Sequence, residues 1–130
     1  MRTEEIRKWI EEGGELPQEL TQEEKEHLEA LGWKENRRWN DKGQLWWEEN
    51  FLHDKTHGKC RMWYYNGQLE HEYSFLHGTL HGKCRGWHGN GQLWLERNYL
   101  HGTLHGKCRG WRSNGQLRWD EEWLYGNKIK

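Results

Sequence analysis

Asn90-Gly91-Gln92-Leu93-Trp94-Leu95-Glu96-Arg97-Asn98-Tyr99-Leu100-His101-Gly102-Thr103-Leu104-His105-Gly106-Lys107-Cys108 decides the fold, because the same unit recurs along the chain. Gly-Gln-Leu begins at Gly43, Gly67, Gly91 and Gly115, in steps of 24 residues. His-Gly-Lys-Cys begins at His57, His81 and His105, and Trp39, Trp63, Trp87 and Trp111 keep the same step. A fixed period of this length marks a stacked array in which each unit packs on its neighbours. Each copy carries two turn signals. One is Asn66-Gly67, Asn90-Gly91 or Asn114-Gly115, with Lys42-Gly43 in the first copy. Asn-Gly is the strongest short hairpin signal, since both central residues of a type I′ turn need positive φ. The other is His77-Gly78 or His101-Gly102, with His53-Asp54 and Tyr125-Gly126 as variants. The expected fold is mainly β: a single-layer antiparallel β-meander of four hairpin repeats and about eight strands over residues 33–130.

Taking both turns as two-residue loops fixes a register. Around Asn90-Gly91, Arg85 then faces Glu96 and Trp87 faces Trp94. The same rule pairs Arg37 with Glu48, Arg61 with Glu72, and Arg109 with Asp120. Four opposite-charge pairs specify the pairing better than any one of them would. Around His77-Gly78, Phe75 faces Leu80, Tyr73 faces Gly82 and Leu69 faces Gly86. One face then holds Leu45, Leu69, Leu93 and Leu117, the row Phe51, Phe75, Tyr99 and Trp123, and the cysteines. The other holds the Arg/Glu ladder, Lys59, Lys83, Lys107 and the Trp39/63/87/111 row. Small residues on the first face predict that it is the concave, buried side.

Residues 1–32 read as an acidic leader of two short helices. Thr3 is the expected cap of the first, whose apolar stripe is Ile6, Trp9 and Ile10, and Gly13-Gly14 ends it. Thr21 and Glu24 form a capping box for the second, Leu28 and Leu31 its stripe, and Gly32 its stop. The net charge of −1 is unevenly spread. Residues 1–31 carry ten Glu against four Lys/Arg, and residues 32–130 carry sixteen Lys/Arg against eleven Asp/Glu. The leader is therefore expected to fold back on the basic array. Charged residues make up 32% of the chain, but eleven tryptophans supply an aromatic interior, each ring burying roughly 150–250 Å² when enclosed.

The unit Asn-Gly-Gln-Leu-x-x-Glu-x-x-Tyr-Leu-His-Gly-Thr-Leu-His-Gly-Lys-Cys resembles a MORN (membrane occupation and recognition nexus) repeat. It is similar to the variant found in YwqK-type antitoxins and in large DNA viruses of amoebae. The resemblance spans residues 33–130 and leaves the leader out. It implies a β-hairpin rod or trough used for protein–protein contact, with anionic phospholipid surfaces as the alternative target, and no catalytic residues.

The chemistry-bearing residues agree with a binding role. His81 and Cys84 lie three apart on an expected strand, so they point to opposite faces. Equivalent cysteines stand two strands apart, about 9.5 Å, beyond the roughly 7 Å that a disulfide spans. Cys60, Cys84 and Cys108 are thus expected as small buried spacers, with neither metal nor cofactor. Gly78-Thr79-Leu80-His81-Gly82-Lys83 is one residue short of a phosphate-binding loop and has Cys84 where such loops need Ser or Thr. Each repeated carboxylate faces an arginine, so no acid–base pair is free and an enzyme is not expected. Nucleic acid is disfavoured as well, because the arginines are already paired. The expected contact residues are Trp63, Trp87, Trp94, Trp111, Lys59, Lys83 and Lys107, facing a protein partner, a second copy or an anionic membrane. Three cysteines at one repeat position suit a reducing compartment, and Glu4-Glu5 open the chain in place of an apolar run. The expected location is cytoplasmic, or the host cytoplasm or virion if the chain is viral.

Overall fold

The computed structural model describes residues 2–130, and Met1, the first residue of the leader, lies outside them. Two helices, α1 (Arg2–Glu12) and α2 (Gln22–Ala30), precede one open antiparallel sheet. Its eight long strands are β1 (Lys34–Trp39), β2 (Leu45–Leu52), β4 (Gly58–Trp63), β5 (Leu69–Leu76), β7 (Gly82–Trp87), β8 (Leu93–Leu100), β10 (Gly106–Trp111) and β11 (Leu117–Leu124). Four two-residue pieces complete it: β3 (Lys55–Thr56), β6 (Thr79–Leu80), β9 (Thr103–Leu104) and β12 (Asn127–Lys128). Consecutive long strands pair throughout, from β1 at one edge to β11 and β12 at the other, while β3, β6 and β9 pair back on β2, β5 and β8. The mainly β, single-sheet meander of hairpins with a two-helix leader is the observed fold.

The tight type I′ turn belongs to His-Gly, not to Asn-Gly. Both central residues have positive φ at His53-Asp54, His77-Gly78, His101-Gly102 and Tyr125-Gly126. At the Asn-Gly turns the glycine alone is positive. There Gly91 N–H donates to His88 O at 2.9 Å and His88 N–H to Gln92 O at 2.8 Å. This is a longer loop whose left-handed glycine makes a bulge. Asn90 serves it through its side chain, Oδ1 accepting from Gln92 N–H at 3.0 Å, so the asparagine closes an Asx turn.

The bulge corrects the expected pairing of Trp87. Arg85 does face Glu96 and Gly86 faces Leu95, but the register then slips and Trp87 faces Leu93. Trp39↔Leu45, Trp63↔Leu69 and Trp111↔Leu117 repeat this. A one-residue slip moves side chains to the opposite face. The Leu45/69/93/117 row therefore joins the tryptophan row on the ladder face. Trp94, the extra residue, turns to the other face, its ring edge-on to His71 at 5.8 Å.

The second hairpin departs from the two-residue rule in a different way. Phe75 faces Leu80 as expected, yet Glu72 faces Arg85 and His71 faces Gly86. Tyr73–Gly82 and Leu69–Gly86 are therefore not pairs. Between the two registers, His81 N–H donates to Ser74 O at 2.9 Å and Ser74 Oγ donates to Lys83 O at 2.7 Å. Three residues, His81 to Lys83, thus oppose Ser74 alone. Gly82, at φ 93°, makes the bend that this requires. A shift of two leaves every side chain on its face.

The leader closes the first end of the sheet. The capping box at α2 forms as expected, with Glu24 N–H on Thr21 Oγ1 and Thr21 N–H on Glu24 Oε1. Thr3 lies inside α1, which starts at Arg2, so it is not the cap. Ile6, Trp9, Leu28, Trp33 and Leu52 form a compact apolar cluster, with Ile10, Leu16, Leu20 and Leu31 against it. Leu52 alternates with Glu48 and Asn50, so the leader covers the ladder face. The face expected to be the concave, buried side is thus not the one the leader covers. The small Cys60, Cys84 and Cys108, each at most 5% exposed, are buried there, with Gly86 and Gly110 beside them.

Gly110 and Gly89 separate the two uses of glycine. A Cβ on Gly110 would collide with the Trp119 indole, whereas one on Gly89 meets nothing within 4 Å. Gly110→Ala is expected to cost about 1–3 kcal/mol by overpacking. Gly89→Ala should stay within about 0.5 kcal/mol of wild type. Urea titration of the two variants checks the difference.

Candidate interaction surface

Because Glu48 faces Arg61, Glu72 faces Arg85 and Glu96 faces Arg109 between hairpins, the four expected pairs fuse into one row. It runs Arg37, Glu48, Arg61, Glu72, Arg85, Glu96, Arg109, Asp120, alternating in sign across all eight long strands. Arg61 Nε donates to Glu72 Oε2 at 2.8 Å and Arg85 Nε to Glu96 Oε2 at 2.8 Å. Arg109 and Asp120 stand 3.3 Å apart, Arg37 and Glu48 3.6 Å. One signal could have announced the fusion: the glycine of each His-Gly-Lys-Cys, Gly58, Gly82 or Gly106, where the two-residue shift is made.

The candidate contact residues divide between the two faces. Trp63, Trp87 and Trp111 stand on the ladder face beside Lys59, Lys83 and Lys107. Trp94 stands on the other. Each lysine reaches a carboxylate: Lys59–Glu72 at 3.6 Å, Lys83–Glu96 at 4.0 Å, Lys107–Glu122 at 3.3 Å. Trp63 and Lys59 lie under the leader, lining an open cleft of about 690 Å³ between residues 14–20 and the sheet, with Trp33, Arg37, Glu48 and Arg61. Glu15 crosses the cleft to pair with Arg61. Of the ladder side chains lining it, Glu48 and Arg61 are 17–18% exposed and Arg37 33%, against 15% at Glu96, 34% at Arg85 and 40% at Arg109 and Asp120. The second half of the ladder face is uncovered, with Lys83 and Lys107 about half exposed.

Along the turn edge, histidines tie the copies together. His77 N–H donates to His57 Nδ1 at 3.1 Å, His101 N–H to His81 Nδ1 at 3.1 Å, and Tyr125 N–H to His105 Nδ1 at 3.0 Å. An Nδ1 that accepts requires a neutral ring with its proton on Nε2. His57 Nε2 donates that proton to Trp9 O, with nitrogen and oxygen 2.6 Å apart. Burial, set against the Trp9 carbonyl, lowers the His57 pKa, and burial lowers that of His81. Burial pushes the Cys60 thiol up to about 12, helped by Glu49 and Glu48, and raises that of Cys84, away from the reactive thiolate. Among the described residues, no three His, Cys, Asp or Glu side chains converge as metal ligands would.

Two copies of the unit are recognisable on their own. Residues 56–77 and 80–101 each match the MORN repeat variant family. No curated protein and no solved structure matches the chain. MORN repeats are commonly scaffolds that bind proteins or membranes, and typically non-enzymatic ones. Among the described residues no helix is long and apolar enough to cross a membrane.

Two outcomes test this geometry. Arg61 holds Glu15, Glu48 and Glu72, so Arg61→Ala takes a partner from three carboxylates, leaving Glu48 with Arg37 and Glu72 with Lys59, and should cost about 1–3 kcal/mol. Arg109→Ala, at the exposed end, should cost no more than about 1 kcal/mol. For His57, the folded pKa lies below the ordinary value of 6.5. Its contribution is present above pH 6.5 and is lost as pH falls towards the folded value, because the unfolded chain then binds the proton more readily. The melting temperature should therefore drop on acidification through this window, and less so in His57→Gln.

Proposed function

We propose that this chain is a non-enzymatic scaffold whose uncovered ladder face, around Trp87, Trp111, Lys83 and Lys107, receives a protein partner. The observation that carries the reading is the asymmetry of cover. The leader occupies one half of a uniform surface and leaves the other half, with the same chemistry, open. Trp rings beside arginines give large rigid contact area with polar anchors, and these two residue types are enriched at the hot spots of protein interfaces. An antitoxin-like role, in which surface contact blocks the partner, is one form of this reading. It is a cytoplasmic role, in a host cell or virion if the source is viral.

A protein fits better than an anionic membrane because each lysine on this face already has a carboxylate beside it. A lipid surface is attracted by unneutralised basic clusters. The test is affinity capture with wild type and with Trp87→Ala/Trp111→Ala. A stoichiometric partner of wild type should be lost at least about tenfold from the variant. Sedimentation with phosphatidylserine vesicles should show no binding. Salt-sensitive binding to those vesicles, absent with neutral ones, would replace the scaffold reading by the membrane one.

A further inference from the structure

The two edges of the sheet are complementary. At the first edge, β1 carries Lys34, Arg37 and Arg38 against Glu35. At the last, β11 carries Asp120, Glu121 and Glu122 against Arg118. The charge row begins with Arg37 and ends with Asp120, so its end residues match each other. β1 pairs with β2 alone, and its Lys34, Glu35, Arg38 and Trp39 are exposed. On the outer side of β11, β12 pairs with Trp123 and Leu124, and Ile129 N–H donates to Glu122 O at 2.8 Å. Among the described residues, Leu117 to Glu121 have no strand beyond them.

We propose that a second copy of this chain adds its β1 to this open edge, so that copies join head to tail into one continuing sheet. The internal register says where it sits. Between hairpins Glu96 pairs with Arg109 and Leu95 with Gly110. One repeat further on, the same positions are Asp120 with Arg37 of the second copy and Trp119 with its Arg38. The row then continues without a break in sign. In this register the exposed Asn127–Lys130 tail holds the places of Leu31–Lys34 of the second copy and gives way to them, and the main-chain groups of two edge strands find partners. Arg37 sits between two carboxylates, as Arg61 does between Glu48 and Glu72. Two different edges make a heterologous contact, which a straight array extends as an open series. This surface is separate from the one assigned to a partner above, and either assignment stands without the other.

Sedimentation velocity of the 130-residue chain over rising concentration tests the proposal. Masses should climb through successive multiples of 16.0 kDa and should fall back in high salt. Arg37→Glu and Asp120→Arg should each abolish this rise, because each juxtaposes like charges at the junction. Mixing the two variants should restore it, since every junction between them is again opposite in sign. Hydrogen exchange of wild type reads the same contact without substitutions, with amides of β1 and of Leu117–Glu121 gaining protection only at high concentration. A wild type that stays at 16.0 kDa throughout, an association that neither variant weakens, or edge amides equally exposed at all concentrations would each overturn the proposal.

Discussion

A row of eight alternating charges crosses the sheet from strand to strand, and the rest of the array is arranged so that the row stays in register. A single layer has no second layer to lock its strands against. What holds it must act between neighbours along the sheet. Each exposed ion pair contributes only a few tenths of a kcal/mol to about 1 kcal/mol. Its larger effect is on specificity. A slip by one residue would move Arg85 off the face that holds Glu72 and Glu96. Both kinds of bulge serve this end. The two-residue bulge at His81–Lys83 brings Glu72 opposite Arg85. The one-residue bulge beside Trp87 lies between the row and the loop, so it reorders the aromatics and leaves the charges alone.

Much of this was legible in the repeat. The 24-residue period, the alternation of turns and the Arg/Glu pairs within hairpins give the architecture and half of the ladder. What escaped is the local backbone geometry. Asn-Gly and His-Gly both read as two-residue turns, yet only His-Gly adopts positive φ at both residues. The reason is physical: Asn90 bonds its own backbone two residues on, which favours the longer loop. The His in the left-handed position is instead held by a neighbour, its N–H bonded to the Nδ1 one copy back. Propensity read within one hairpin does not register a bond supplied by the next. The face of Leu93 and of Trp94 followed from the turn assignment, and so was reversed with it.

The leader shows what a repeat does where it has no predecessor. Gly78 N–H donates to Thr56 O, Gly102 N–H to Leu80 O and Gly126 N–H to Leu104 O. At the first turn, Gly32 O accepts from His53 N–H. Gly32 stands one period before Thr56, so the end of α2 takes the place of a missing copy. Trp33 likewise occupies the position of His57, its indole donating to Asn50. The charge imbalance predicted that the leader would return to the array. It did not predict which face, because that depends on Asn50 and Leu52, which alternate with Glu48 onto the ladder face and carry no charge for the count to register.

The histidine row makes neighbouring copies depend on one another in a way that hydrophobic contact alone does not. Each ring accepts at Nδ1 from the following turn, and that turn carries the next ring of the stack, His57 against His77 at 4.7 Å and His81 against His101 at 4.8 Å. A protonated ring cannot accept, so one proton removes a bond between copies and places a charge beside a second imidazole. At His57 it does this in a buried setting where Trp9 O fixes the opposite nitrogen. Cover of the ladder face and contact between copies therefore meet at one imidazole. The proton that loosens the first pair of turns also acts on the residue that seats the leader.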